Sequence, residues 1–162
     1  MLELKRSRIA LLFLLLATGL QAEVKVLKNF TLIDGTGRAQ QPRSAMIVDS
    51  GRILWVGPLN QLHAPGSAET IDLTGKYVMP GIINLHGHIG NTVDLEQDAK
   101  NFTRANVEKN LQTYGEYGVT TVLSMGPDQD LIFQIRAEQR AGRPSVTRVF
   151  TAGQGFVYKG GY

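Results

Sequence analysis

The segment Pro80-Gly81-Ile82-Ile83-Asn84-Leu85-His86-Gly87-His88 sets two of the chain's three histidines two residues apart at the end of an apolar run. In extended backbone, residues i and i+2 point to the same face. A strand here puts His86 and His88 side by side, with Leu85 and Gly87 facing the other way. A neutral imidazole is a strong ligand for zinc and related divalent ions. A catalytic zinc takes about three protein ligands plus water. The pair therefore offers part of a metal site. Taken alone, so short a pattern also fits surface or structural histidines.

The wider context is more specific. The run Ile71-Asp72-Leu73-Thr74-Gly75-Lys76-Tyr77-Val78-Met79 leads directly into the histidine segment. Together they resemble the stretch that joins a small β-sandwich to the first barrel strand in the amidohydrolase superfamily. Upstream, Leu32-Ile33-Asp34-Gly35-Thr36-Gly37 and Gly51-Arg52-Ile53-Leu54-Trp55-Val56-Gly57 are similar to that family's opening. Downstream, Gly118-Val119-Thr120-Thr121-Val122 is similar as well. The resemblance runs in order from about Val24 to the end of the chain. One departure is Asn84, where many members carry Asp.

The resemblance implies a metal-dependent hydrolase that uses metal-activated water. The substrate would be a small molecule: an amide, a cyclic amide as in imidazolonepropionase, or a dipeptide as in Xaa-Pro dipeptidases. It implies one or two divalent ions, zinc first among them, with His86 and His88 as ligands. Members of the family draw further ligands from later strands: a carboxylated lysine, two histidines and an aspartate that also moves the proton. No histidine follows His88 here, and Lys159, the only lysine after Lys109, lies too early to match the bridging one. No catalytic residue is assigned within this sequence.

Met1 to Ala22 reads as a leader. Lys5, Arg6 and Arg8 make a basic start, Ile9 to Ala17 is apolar, and Thr18 to Ala22 turns small and polar. That is the pattern of a secretory signal peptide. Its apolar run is well short of the roughly 20 residues that span a bilayer. The expected location is periplasmic or secreted, with no stable membrane anchor after cleavage. Removing the leader takes away three bases and one acid, which lowers the formal charge from +3 to +1. No Lys/Arg block remains, which argues against a nucleic-acid partner. The absence of cysteine excludes disulfides and thiolate metal sites.

Residues 23–80 read as short strands with turn punctuation, starting near Val24, Ala45, Arg52, Glu69 and Tyr77. Asp34-Gly35-Thr36-Gly37 and Asp49-Ser50-Gly51 supply turn chemistry. This spacing suggests a small sandwich. His63, between Leu62 and Ala64 before Pro65-Gly66, belongs to a surface loop. After His88, a polar loop carrying Asp94, Glu96 and Asp98 precedes a helix over 102–117. Val107, Leu111 and Tyr114 recur at helical spacing there, and Thr103 is the N-cap candidate. Val119 to Leu123 is an apolar, β-branched strand without alternation, as in strands buried on both faces. Asp128 is the expected cap of a second helix ending near Arg140. Val146 to Ala152 is the third strand.

The fold class is therefore α/β. The order β-α-β-α-β allows a doubly wound sheet or a barrel, and the resemblance decides for the barrel. The expected domains are a signal peptide at 1–22, a β-sandwich segment at 23–80, and the first three strands and two helices of an incomplete TIM-type barrel at 81–162. A complete barrel takes roughly 250 residues, so the expectation is the front part of such an enzyme. The alternative is a catalytically inactive secreted fragment or binding module. Uncovered strand edges predict self-association, hence a homo-oligomer. If the leader reading holds, N-terminal sequencing of the exported protein will begin at Glu23; retention of Met1 in the exported fraction would contradict it.

Overall fold

The computed structural model describes residues 24–126, 128–142, 144–156 and 158. The proposed leader at 1–22 lies outside the described residues, as does Lys159. The chain divides into two compact units, with the division after Pro80.

The first unit is a five-stranded sheet. Its strands are β1 (Val24–Leu32), β2 (Gln41–Asp49), β3 (Arg52–Pro58), β4 (Glu69–Asp72) and β5 (Tyr77–Val78). The order is β3-β2-β1-β4, with β5 also pairing β1. Pairing is antiparallel between β1, β2 and β3, and parallel from β1 to β4 and β5. All five strands belong to this one sheet. A short 3₁₀ turn, Leu59–Gln61, follows β3. β1 runs unbroken where two strands were conceivable, because Asn29 absorbs the irregularity as a bulge. It sits at φ 66°, and the register with β2 slips by one residue between Lys28 and Phe30. Its amide donates to Asp72 at 2.8 Å, tying the bulge to the end of β4.

Phe30, Leu32 and Met46 form the small core of this unit, with Leu27, Val48, Leu73 and Val78 packed against them. Ser44 to Ile47 are all buried, so β2 is covered on both faces. An Asp-x-Thr-Gly turn occurs twice. Asp34 accepts from the Thr36 amide at 3.0 Å and hydroxyl at 2.6 Å. Asp72 accepts from the Thr74 amide at 2.9 Å and hydroxyl at 2.6 Å. Each aspartate thus replaces a backbone partner at a tight turn.

The second unit alternates strands and helices. β6 (Ile82–Gly87) leads to a small hairpin of β7 (Thr92–Val93) and β8 (Glu96–Gln97), then a 3₁₀ turn at Ala99–Asn101. Helix α1 (Arg104–Glu116), β9 (Val119–Ser124), helix α2 (Asp130–Ala141) and β10 (Arg148–Thr151) follow. The three long strands form a parallel sheet of order β10-β9-β6. Thr103 caps α1 as its sequence position suggests, its side chain accepting from the Asn106 amide.

One apolar cluster joins Val107 and Leu111 of α1, Ile132 and Ile135 of α2, and Val122 and Val149 of the sheet, with Ile89 and Phe102. Both helices therefore pack on the same face. On the other face, register pairs Ile83 with Thr121 and Leu123 with Phe150. Ile83 and Leu85 are 61% and 70% exposed. Arg104 bridges the helices with a bidentate contact to Glu138, both distances 2.8 Å. At this exposure the pair is worth little to stability. Gln139 of α2 clamps the start of β10, donating to the Thr147 carbonyl and accepting from the Val149 amide, each at 3.0 Å. Among the described residues, no helix is long and apolar enough to cross a membrane.

Asp128 does not cap α2. The cap position is Gln129, without a side-chain capping bond, and Asp128 is buried elsewhere. Its two oxygens are occupied by hydroxyls from the ends of β9 and β10, and those bonds win over the helix amides.

Two stability measurements follow. A Cβ at Gly87 would stand 2.6 Å from Val122 Cγ2 and 3.1 Å from the Tyr114 hydroxyl. Gly87→Ala should cost about 1–3 kcal/mol in urea unfolding, since a stiff buried valine cannot yield; no loss would mean that β6 and β9 are looser than described. The hydrogen bonds from the Thr36 side chain and amide, helped by Arg38, hold the Asp34 carboxyl down from 3.8 to about 2. That contribution is complete above the unfolded value and is lost as the pH falls through the folded one. The urea midpoint should therefore drop between about pH 4 and pH 2, and Asp34→Asn should flatten part of that drop.

Candidate metal centre

His86 is the fifth residue of β6, and His88 follows directly after the strand ends. β6 slips register against β9 between Asn84 and Gly87, and the two ring centroids are 5.4 Å apart with planes inclined at 66°. Both residues are exposed. Gly87 between them is buried against Val122 and Tyr114. Gly87 thus faces the helix side, and His88 lines a cavity together with Asn110, Thr113 and Tyr114 of α1.

The loops hold these rings in place. His88 Nδ1 lies 2.7 Å from the carbonyl oxygen of Gly126, just past the end of β9. A carbonyl can only accept, so Nδ1 carries the proton and Nε2 presents its lone pair outward. Ligating histidines are commonly oriented by such a bond on their second nitrogen. The Asn84 side chain accepts from the His86 amide at 2.9 Å and fixes the last turn of β6. Asn84 is thus a local brace at the position where Asp was the alternative.

The chain beyond His88 is held from α1. Asn110 accepts from the Gly90 amide at 3.0 Å. Asn106 donates to the carbonyls of Gly90 at 2.8 Å and Thr92 at 3.1 Å. Gly90 itself sits at φ +88°, and a side chain there would strike Phe102 and Val107. These two asparagines, one helical turn apart, carried no signal in the sequence, because spacing on a helix does not say what a polar residue grips.

Asp128 is the other contributor that sequence reasoning placed wrongly. It is 1% exposed. Its Oδ1 accepts from Ser124 Oγ at 2.6 Å and its Oδ2 from Thr151 Oγ1 at 2.5 Å. The only hint in the sequence is an acid shortly after a strand end, which equally suits a helix cap. The acidic loop after β6 serves itself: Glu96 and Asp98 both pair with Lys100, at 2.6 and 3.3 Å, and Asp94 occupies the hairpin turn at φ 51°. His63 is exposed and bonds the nearby Gln61 carbonyl, at a distance of 2.8 Å.

The donor set fits a divalent ion in part. Two imidazoles stand side by side, and one is held with its free nitrogen available. Among the described residues, no group of three or more His, Cys, Asp or Glu side chains is arranged to hold a metal ion. A cavity of about 550 Å³ lies beside the loops that follow the three parallel strands, lined by Asn91, Asp98, Asp128, Gln129 and Gln154 among others.

No family model matches the chain. A 5-methylthioadenosine/S-adenosylhomocysteine deaminase of Symbiobacterium thermophilum is 35% identical over 69 residues, covering 42% of this chain and 16% of the deaminase. An imidazolonepropionase of Paracoccus denitrificans is 41% identical over 56 residues, 34% of this chain and 14% of that enzyme. Among solved structures, a prolidase from Bifidobacterium longum, described as putative, superposes with a TM-score of 0.69 at 29% identity, covering 82% of this chain and 31% of its own. Molinate hydrolase gives a TM-score of 0.69 at 25% identity, covering 83% of this chain and 31% of its own. The chain therefore spans about one-sixth of the curated deaminase and about one-third of the solved structures. The curated relatives and the structural neighbours all point to the amidohydrolase superfamily.

Proposed function

We propose that this chain is the N-terminal part of a metal-dependent hydrolase that cleaves non-peptide C–N bonds, of amides or cyclic amides, or dipeptides. The observation that carries the proposal is the pair His86 and His88 at the C-terminal end of β6, with His88 held by Gly126 so that Nε2 faces outward. In parallel α/β architectures, active sites form at that end of the strands. The β6-β9-β10 order and the two helices on one face support the first three strands of a TIM-type barrel. Residues 23–80 would be the family's sandwich segment.

Within this reading His86 and His88 hold the metal, zinc first among the candidates, in a centre of one or two ions. A bound divalent ion supplies Lewis acidity and lowers the pKa of a bound water toward neutrality. The chain's own contribution is positional. Asn84 fixes the backbone at His86, Gly126 sets the tautomer of His88, and Asn106 and Asn110 hold the backbone that leaves it. We also propose a periplasmic or secreted location, on the strength of the leader pattern at 1–22, and a homo-oligomer, on the strength of the apolar β6 edge.

A second reading has an observation of its own in favour. No third ligating side chain joins the two histidines among the described residues, as in a non-catalytic secreted fragment or binding module. The two readings part in one experiment. The purified chain is dialysed against zinc and its metal content measured, and hydrolysis of dipeptides and cyclic amides is assayed in the protein expressed from the uninterrupted reading frame. The enzyme reading expects bound zinc and zinc-dependent hydrolysis by that protein, both lost in His86→Ala and His88→Ala. Zinc bound with no hydrolysis by that protein supports the module. Unchanged metal content in both variants overturns the ligand assignment.

A further inference from the structure

We propose that Asp128 is a positioning residue for His88, acting through the Gly126 carbonyl. The inference rests on the reading of His88 as a metal ligand, but its geometry stands independently of any ion. Ser124 and Asp128 are joined by a buried hydrogen bond of 2.6 Å that spans four residues. That bond closes a ring around Met125, Gly126 and residue 127. Gly126 is buried inside it at φ +69°.

Described residues on both neighbouring strands tie into this ring. The Met125 amide donates to the Gly87 carbonyl at 2.9 Å, tying it to β6 between the two histidines. The Ala152 amide donates to the Ser124 carbonyl at 2.9 Å. Thr151 Oγ1 donates to Asp128 Oδ2 at 2.5 Å and accepts from the Gly153 amide at 2.8 Å, tying the ring to β10. A Cβ on Gly126 would come within 3.0 Å of the Gly153 carbonyl oxygen. The Gly126 carbonyl therefore belongs to a short loop tied by hydrogen bonds to β6, β9 and the end of β10. It is this carbonyl that accepts from His88 Nδ1.

A carboxyl group that accepts two hydroxyls and is 1% exposed costs free energy to bury unless both bonds are made. Its position explains what the arrangement secures: a single tautomer of His88, with Nε2 free. Asp128 touches neither ring. It acts by keeping the loop that carries the acceptor in one conformation.

The test reads the tautomer directly. In metal-free protein, ¹⁵N–¹H correlation spectra of the imidazoles separate Nδ1–H from Nε2–H forms, and the His63→Ala, His86→Ala and His88→Ala variants assign the signals. The native chain should show His88 as the Nδ1–H form alone. Asp128→Asn and the near-isosteric Thr151→Val should each give a mixture of tautomers and weaken zinc binding by roughly 10- to 100-fold. Thr151→Ser, which keeps the hydroxyl, should restore both. Ile132→Val, a core change, should lower stability with the tautomer unaltered. If Asp128→Asn does not fold, Thr151→Val and Ser124→Ala carry the test alone. An unchanged His88 tautomer in the folded variants overturns the proposal. Native protein that binds no zinc but shows the tautomer switch would uphold the positioning role and sink the metal reading.

Discussion

One hydrogen bond, from His88 Nδ1 to the carbonyl of Gly126, organises the functional end of this protein. It joins the end of β6 to the loop after β9 and decides which nitrogen of the ring faces outward. Net of the hydrogen bonds to water it replaces, such a bond is worth about 1 kcal/mol. Its consequence is larger than its energy, because an imidazole with the proton on the wrong nitrogen cannot offer that lone pair. The remaining construction follows from it. The carbonyl belongs to buried Gly126, which lies between the hydrogen-bonded residues Ser124 and Asp128. The strand that carries His88 must lie against β9, so Gly87 has no side chain.

The packing divides the labour between the faces of the sheet. Val122 and Val149 sit under both helices, in the one sizeable apolar cluster of the second unit. Polar groups collect at the strand ends instead, where Ser124, Asp128 and Thr151 satisfy one another. Burying these groups is tolerable only because each donor finds an acceptor. The apolar side chains at positions 83 and 85 of β6 remain largely open to solvent, a row that a further layer of protein would cover.

Much of this was legible in the residues. The β-α-β-α-β order follows from periodicity, and the helix start at Thr103 from its capping oxygen. The Asp34 turn announced itself by its Gly and Thr neighbours. Other features were not legible. The bulge at Asn29 carried no signal, since nothing local reveals that it is tied to Asp72, 43 residues away. Asp128 looked like a helix cap, since its competing partner Thr151 is 23 residues further along. The grip of Asn106 and Asn110 on Gly90 was invisible for the same reason.

By itself, then, the order of residues placed two imidazoles two residues apart at one strand end, and it determined the turns and the helix faces, which depend on near neighbours. Only the tertiary structure decided where that strand slips register and what the His88 imidazole leans on. Those outcomes depend on hydrogen bonds between groups distant along the chain, and a hydrogen bond forms only where the fold brings donor and acceptor within reach.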